Sequence, residues 1–199
     1  AEHGAWIVSD EVYEHLLYDG ARHIPVASLP GGAERSITIS SAGKTFSTTG
    51  WKIGWTIAAP EVITAILSVK QYLTFVNGAP FPPAIAAGLR LGDDFYTGIA
   101  RTLERKRDIL SEGLTEAGLT VLRPKGAYYV LADTRSIGVE DALRLARELP
   151  ERVGVAGVPV AAFVRPDHVD GVRSLIRFAF CKREEVLREA AGRLSGLQP

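Results

Sequence analysis

Ser40-Ser41-Ala42-Gly43-Lys44-Thr45 is the stretch whose residue types could do chemistry, and three chemistries compete for it. Gly43-Lys44-Thr45 has the ending of a phosphate-cradling P-loop. That motif requires a glycine five positions before Gly43, where Thr38 stands, and a helix directly after it. Thr45 to Gly54 is poor helix material. Ser41-Ala42-Gly43-Lys44 also has the S-x-x-K spacing of serine β-lactamases, but the companion S-D-N and K-T-G motifs are absent. The third chemistry is a Schiff base between the lysine amine and pyridoxal phosphate. That cofactor needs a carboxylate at its ring nitrogen, cations and donors at its phosphate, and often a phenol near its ring oxygen. Asp10 offers the carboxylate, Tyr13 the phenol, and Ser41 and Lys52 a hydroxyl and a cation on either side of Lys44.

Each of these residues has a plainer reading. An isolated lysine is usually a solvated charge, Asp10 alone could cap a helix, and Tyr13 could be a half-buried aromatic. Arg177 is different, because it interrupts the apolar run Leu175 to Phe180, where an unpaired buried charge is costly. A ligand-pairing role suits it better than packing. Trp51 and Trp55 read as packing residues and Cys181 as a small core hydrophobe. His3, His15, His23 and His168 lack metal-ligand spacing, so no metal site is assigned.

The elements that must position these groups follow from periodicity. Ala5 to Val8 reads as a short buried strand ending in acidic residues, the end at which open α/β sheets place ligands. Ser36 to Ser40 alternates polar and β-branched residues and predicts a second strand, and Ile53 to Ala58 a third. Lys44 to Trp55 reads as loop. Helices are expected from Pro60, over Ala84 to Leu91, over Asp93 to Ala117 with Gly118 as its C-cap, over Asp141 to Glu148 and over Glu184 to Leu194. Val121, Tyr128 to Ala132, Val155 to Val160 and Leu175 to Phe180 read as strands. The class is therefore α/β, divided into residues 1–95 and a smaller α+β unit, 96–199.

Composition narrows the field. The 199 residues are 46% hydrophobic and 23% charged, with 23 Lys+Arg against 23 Asp+Glu. Zero net charge argues against a nucleic-acid or polybasic membrane-surface binder. No uncharged run approaches the ~20 residues of a membrane-spanning helix, and the first ten residues carry Glu2, His3 and Asp10, unlike a signal peptide. The expected compartment is the cytoplasm. A single cysteine excludes intramolecular disulfides. Ala1 opens without methionine and runs almost at once into an apolar segment, so the chain reads as the second half of something longer.

Taken together, Asp10-Glu11-Val12-Tyr13-Glu14, Ser41-Ala42-Gly43-Lys44-Thr45-Phe46-Ser47 and Gly50-Trp51-Lys52-Ile53-Gly54-Trp55 resemble the class I/II aminotransferases, fold type I pyridoxal-phosphate enzymes. Pro124 to Tyr129, Gly154 to Phe163 and Ile176 to Phe180 agree with the same pattern, so the resemblance spans nearly the whole chain. The G-W-K-x-G-W form is similar to the kynurenine/glutamine/methionine transaminase branch. Lys70 to Leu73, Gly78 to Phe81 and Phe180 to Arg183 are similar to actinobacterial N-succinyldiaminopimelate aminotransferases.

The resemblance implies a part of the large mixed-sheet domain in residues 1–95 and the small domain in 96–199. It implies Lys44 as the Schiff-base lysine, Asp10 at the pyridine nitrogen, Tyr13 at the ring oxygen, Ser41 and Lys52 at the phosphate, and Arg177 on the substrate α-carboxylate. It also implies pyridoxal 5'-phosphate as cofactor, amino acid and 2-oxo acid as substrates, and a homodimer with Asn77 to Phe81 near the partner's site. The implied reaction is transamination of N-succinyl-L,L-2,6-diaminopimelate with 2-oxoglutarate. Kynurenine, glutamine or methionine transamination, or a β-lyase activity, is the alternative, and a non-catalytic module of the same fold is disfavoured by the intact Lys44, Asp10 and Arg177. The family's glycine turn for the phosphate, its ring-stacking aromatic and its asparagine at the ring oxygen are missing, which implies a site lacking its first half.

Overall fold

The computed structural model describes residues 3–197. The chain divides into two compact units, Ala1–Ile99 and Ala100–Pro199.

The first unit holds strands β1 (Ile7–Asp10), β2 (Ser36–Ser41) and β3 (Gly54–Ile57) in one sheet of that order. β1 runs parallel to β2, with Asp10 opposite Ile39, and β3 returns antiparallel, with Gly54 opposite Ser41. A Cβ on Gly54 would sit 2.8 Å from the Ser40 carbonyl oxygen, so this pairing tolerates only glycine. Between β2 and β3 lie a single-turn helix α1 (Ala42–Thr45) and a 3₁₀ turn (Thr49–Trp51), where the residue pattern predicts loop. The short turn of helix forms because α1 is anchored by Ala42 and Thr45, both buried.

β1 differs from its expected burial. Ile7 is 48% and Val8 63% exposed, because among the described residues β1 pairs with β2 alone. β2 inverts the usual alternation: Ser36, Thr38 and Ser40 are buried while Ile39 is exposed. The reason is a carboxylate-rich connection after β1. Glu14 accepts a hydrogen bond from the Ser40 hydroxyl at 2.7 Å, so the covered face of the strand is its polar one.

Helix α2 (Pro60–Leu73) begins with proline at its first position, where the missing N–H is harmless. No side chain of α2 is buried. Its chain leaves through Phe75 in the left-handed region (φ 54°), and Tyr72, Leu73 and Phe75 stand open to solvent. Helix α3 (Phe81–Gly88) contributes Ile85 to a small core with Ala42 and Ile53, bordered by Phe46, Trp55 and Phe81. Helix α4 (Asp93–Glu116) carries the chain from the first unit's residues into the second's.

The second unit is a four-stranded antiparallel sheet, β4 (Thr120–Leu122), β5 (Tyr129–Asp133), β7 (Leu175–Ala179) and β6 (Val158–Pro159) in that spatial order. Helices α5 (Ala142–Val153) and α6 (Glu184–Leu194) complete it. Asp141 caps α5 by accepting the N–H groups of Leu143 and Arg144, and Gly154 ends it with a positive φ. α5 therefore extends past Glu148, through Pro150. Gly118 ends α4 in the same left-handed manner, φ 86°. Gly113 of α4 lies so close to Ala191 of α6 that a Cβ there would be 2.2 Å from the alanine methyl.

The two units bury their apolar residues unequally. Among the described residues, the first unit's buried apolar side chains are Leu16, Tyr18, Ala42, Ile53 and Ile85, whereas the second holds the rest, from Leu110 to Leu197. Cys181 is exposed, not a core residue, because it lies beyond the end of β7 in the turn to α6.

Candidate active site

Ser41, Lys44 and Lys52 line one cavity of about 590 Å³, walled on its far side by Ile63, Ile66 and Lys70 of α2. Each arrives by a local device. Ser41 ends β2 in extended conformation (φ −151°, ψ 157°) and begins α1. Lys44 sits on that single turn, which Phe46 closes by donating its N–H to the Ala42 carbonyl at 3.0 Å. Lys52 occupies the left-handed region, φ 56°, after the 3₁₀ turn, and its carbonyl accepts the Asn77 amide at 3.0 Å. Non-glycine residues adopt that conformation only at a cost, and such sites cluster where geometry serves function. A Cβ on Gly43 would stand 3.3 Å from the Thr49 backbone, so the α1 turn and the segment ahead of Lys52 approach closely because position 43 is glycine.

Tyr13 approaches Lys44 from the connection after β1. The ammonium lies 5.9 Å from the centre of the phenol ring, within cation–π reach. Asp10 is at the C-terminal end of β1 beside β2, exposed, and its carboxylate accepts the Val12 N–H at 3.2 Å. Asp10 does not line the cavity. Thus Ser41, Lys44 and Lys52 share a wall, Tyr13 reaches Lys44, and Asp10 stands at the neighbouring strand end.

The lining side chains suit an anionic, carbonyl-bearing ligand: three lysines and several hydroxyls, and no carboxylate. A phosphate finds cations and donors there, and an aldehyde finds an amine. The donor set therefore fits pyridoxal phosphate.

Arg177 belongs to the second unit. It sits in the middle of β7, half-buried, paired across the sheet with Leu131 of β5 and Val158 of β6. Its guanidinium lies 4.1 Å from the centre of the Tyr129 ring and 4.2 Å from that of Phe163. Its buried Nε has no hydrogen-bond partner among the described residues. Arg107, fully buried, donates to the Pro124 carbonyl at 3.0 Å.

Residue spacing alone missed two arrangements. His23 and Glu11 form a pair, Nε2 to Oε2 2.9 Å, and Glu11 also accepts the Val26 N–H at 3.1 Å. Burial pushes the Glu11 carboxyl up, but the bonds from His23, Val26 and Ser9 outweigh it and hold it below the ordinary carboxylate range. Glu11, Glu14 and His23 lie close enough to share a cation. Their donors and acceptors already satisfy one another and Ser40, so the cluster reads as a clasp on the connection after β1. The second is the pair of rings on Arg177, for which the aromatic residues near 128 gave a partial signal and Phe163 none.

Comparison with known proteins agrees with this geometry. The model of the family "Aminotransferase class I and II" matches residues 1–194. The probable N-succinyldiaminopimelate aminotransferase of Mycobacterium tuberculosis is 46% identical over 197 residues, covering 96% of this chain and 50% of that protein. The kynurenine–oxoglutarate transaminase of Dictyostelium discoideum is 39% identical over 218 residues, covering 100% of this chain and 50% of that protein. The solved structure of N-succinyldiaminopimelate aminotransferase from Mycobacterium tuberculosis superposes with a TM-score of 0.92 at 47% identity, over 96% of this chain and 50% of the other. This chain thus spans about half the length of the relatives it matches. With a family match over nearly its full length and a lysine, hydroxyl and cation set suited to pyridoxal phosphate, the chain belongs to the class I and II aminotransferases, a family of pyridoxal-phosphate enzymes.

Proposed function

We propose that this chain is the lysine-bearing half of an aminotransferase that exchanges the amino group of N-succinyl-L,L-2,6-diaminopimelate with 2-oxoglutarate. The observation that carries the aminotransferase reading is the meeting of Ser41, Lys44 and Lys52 on one cavity wall with the Tyr13 phenol 5.9 Å from the ammonium. The 46% identity to a probable N-succinyldiaminopimelate aminotransferase supports the substrate. When bound, pyridoxal phosphate supplies an electrophilic carbonyl for amino groups and a ring that takes up the electron pair left as a Cα proton departs.

Around it, the chain's own groups divide the work. The Ser41 hydroxyl would hold the phosphate as a donor, with the Lys52 cation on the same cavity wall. Asp10 would keep a proton on the ring nitrogen, and the Tyr13 hydroxyl would serve the ring oxygen. Lys44 would hold the cofactor's carbonyl through its amine, and the same amine would carry the proton to and from the substrate carbon as a general base and acid. Arg177 takes the α-carboxylate on its planar fork. We assign the working enzyme as a homodimer, which the exposed apolar run Tyr72 to Val76 supports.

Borohydride reduction of the full-length holoenzyme, followed by peptide mapping, tests the anchor: label on Lys44 is expected, and label on Lys52 or Lys70 refutes it. Screening the succinylated diaminopimelate, kynurenine, glutamine and methionine against 2-oxoglutarate tests the donor. Faster turnover with any of the last three overturns the substrate, and no transfer with any donor favours a non-catalytic module.

A further inference from the structure

Arg177 is held in an unusual way for a cation inside a sheet. In the β5–β7 register Arg177 faces Leu131, so Tyr129, two residues earlier on β5, stands diagonally beside it on the same face. On the other flank β6 pairs Val158 with Arg177, and the chain then turns through a 3₁₀ segment, Val160–Phe163, that brings Phe163 back over the same side chain. The ring centres lie 4.1 and 4.2 Å from the guanidinium carbon. Among the described residues no carboxylate pairs with Arg177, and its inner nitrogen is buried without a partner. A guanidinium lying over one aromatic ring from the β5 side and another from the chain after β6, with its Nε buried, is left with its two terminal nitrogens for a ligand.

We propose that Tyr129 and Phe163 are positioning residues that clamp Arg177 and present its outer fork to a planar carboxylate lying in the guanidinium plane. The proposal rests on the reading of Arg177 as the α-carboxylate site. The clamp narrows the orientations open to the guanidinium, so that the substrate does not have to organise the arginine on binding. Phe163 is 56% exposed, so its aromatic ring is not there to fill a core.

The test uses the full-length holoenzyme with 2-oxoglutarate as the carboxylate probe. Phe163→Leu and Tyr129→Leu should each raise KM about two- to fivefold, the loss of one cation–π contact at a partly exposed site, with kcat little changed. Phe163→Tyr and Tyr129→Phe should keep the parent KM, because the ring is retained. As a readout independent of turnover, the ¹⁵N–¹H signal of the Arg177 Nε–H should sit away from those of surface arginines and move towards them in the leucine variants. This signal also serves if Tyr129→Leu folds poorly, since half-exposed Phe163 can be replaced without opening a core. Leucine variants with unchanged KM and unchanged Arg177 signal, alongside an Arg177→Ala variant with raised KM, overturn the clamp and leave the carboxylate reading standing. An Arg177→Ala variant with unchanged KM overturns the carboxylate reading itself. A raised KM that the aromatic variants fail to rescue marks general packing and also overturns the clamp.

Discussion

Replacing Gly113 by alanine sets two known effects against each other. In an exposed helix interior the change stabilises by ~0.8–1 kcal/mol, because glycine is the poorer helix former. At position 113 the new Cβ would stand 2.2 Å from the Ala191 methyl and 2.9 Å from its Cα. Carbon atoms pack at roughly 3.5–4.0 Å, so α4 and α6 would have to part locally by about 1.5 Å. Leu110 and Leu114 on α4 and Leu187 and Leu194 on α6 are all at most 3% exposed, and they would lose contact on either side of the wedge. Overpacking of this kind costs ~1–3 kcal/mol. The contact is backbone-close and has no flexible tip to yield, so the upper part of that range applies and the net expectation is a loss of about 1–2 kcal/mol. Urea unfolding of Gly113→Ala measures it, with Gly192→Ala as the control. Gly192 is on α6 next to the contact, but nothing lies within 4 Å of its would-be Cβ, so the control should gain stability. A Gly113→Ala variant as stable as the control would refute the close helix crossing.

Three further outcomes are expected. Hydrogen bonds from Arg135 hold the Asp133 carboxyl down, from 3.8 to about 2. Its stabilisation is therefore fully present well above 3.8 and is lost as the pH falls through about 2, an effect of ~1 kcal/mol after allowing for the exposed Arg135. Urea midpoints at pH 6 and pH 2.5 should show that loss in the parent and a smaller one in Asp133→Asn. Limited proteolysis of the 199-residue chain should spare a fragment beginning near Asp93, because the buried apolar side chains are concentrated after that point; a first cut within residues 120–197 would contradict this. Phe75→Gly should stabilise the chain by ~0.5–1 kcal/mol in thermal or urea unfolding, since an aromatic residue there occupies a left-handed helix-end conformation that glycine adopts freely.

Much of the architecture was legible in local pattern, and the exceptions have physical causes. Glu184–Leu194 and the start of α4 at Asp93 follow from 3.6-residue periodicity and acidic residues in the first turn, which act within a few residues. The β2 strand was legible but its inside-out burial was not, because Glu14, 26 residues away, decides which face is covered. Ile7 and Val8 read as buried because their type is apolar, yet a strand's burial depends on neighbours on both edges. In the candidate site, Ser41, Lys44 and Lys52 were legible by spacing, since a few residues of turn bring them together. The pairing of Phe163 with Arg177 was not, because it arises from a sheet register that no short pattern encodes. His23 looked idle for the same reason: its partner, Glu11, is reached only by the folding back of the connection between them.

The cavity that gathers Lys44 also includes the indole of Trp55 in its wall, and Trp51, beside Lys52, is stacked on Phe81 with ring centres 4.6 Å apart. The chain has only one other tryptophan, Trp6, out on the opposite side of the sequence from that turn. The molecule thus carries its own optical gauge. Emission from Trp55 will fall when a near-ultraviolet-absorbing group is seated beside Lys44, through energy transfer across a single cavity. Replacing Trp6 and Trp51 by phenylalanine leaves Trp55 as the single emitter without changing a residue of that wall. Occupancy of the pocket, and its rate of filling, can then be followed by light alone, in variants that turn over no substrate at all.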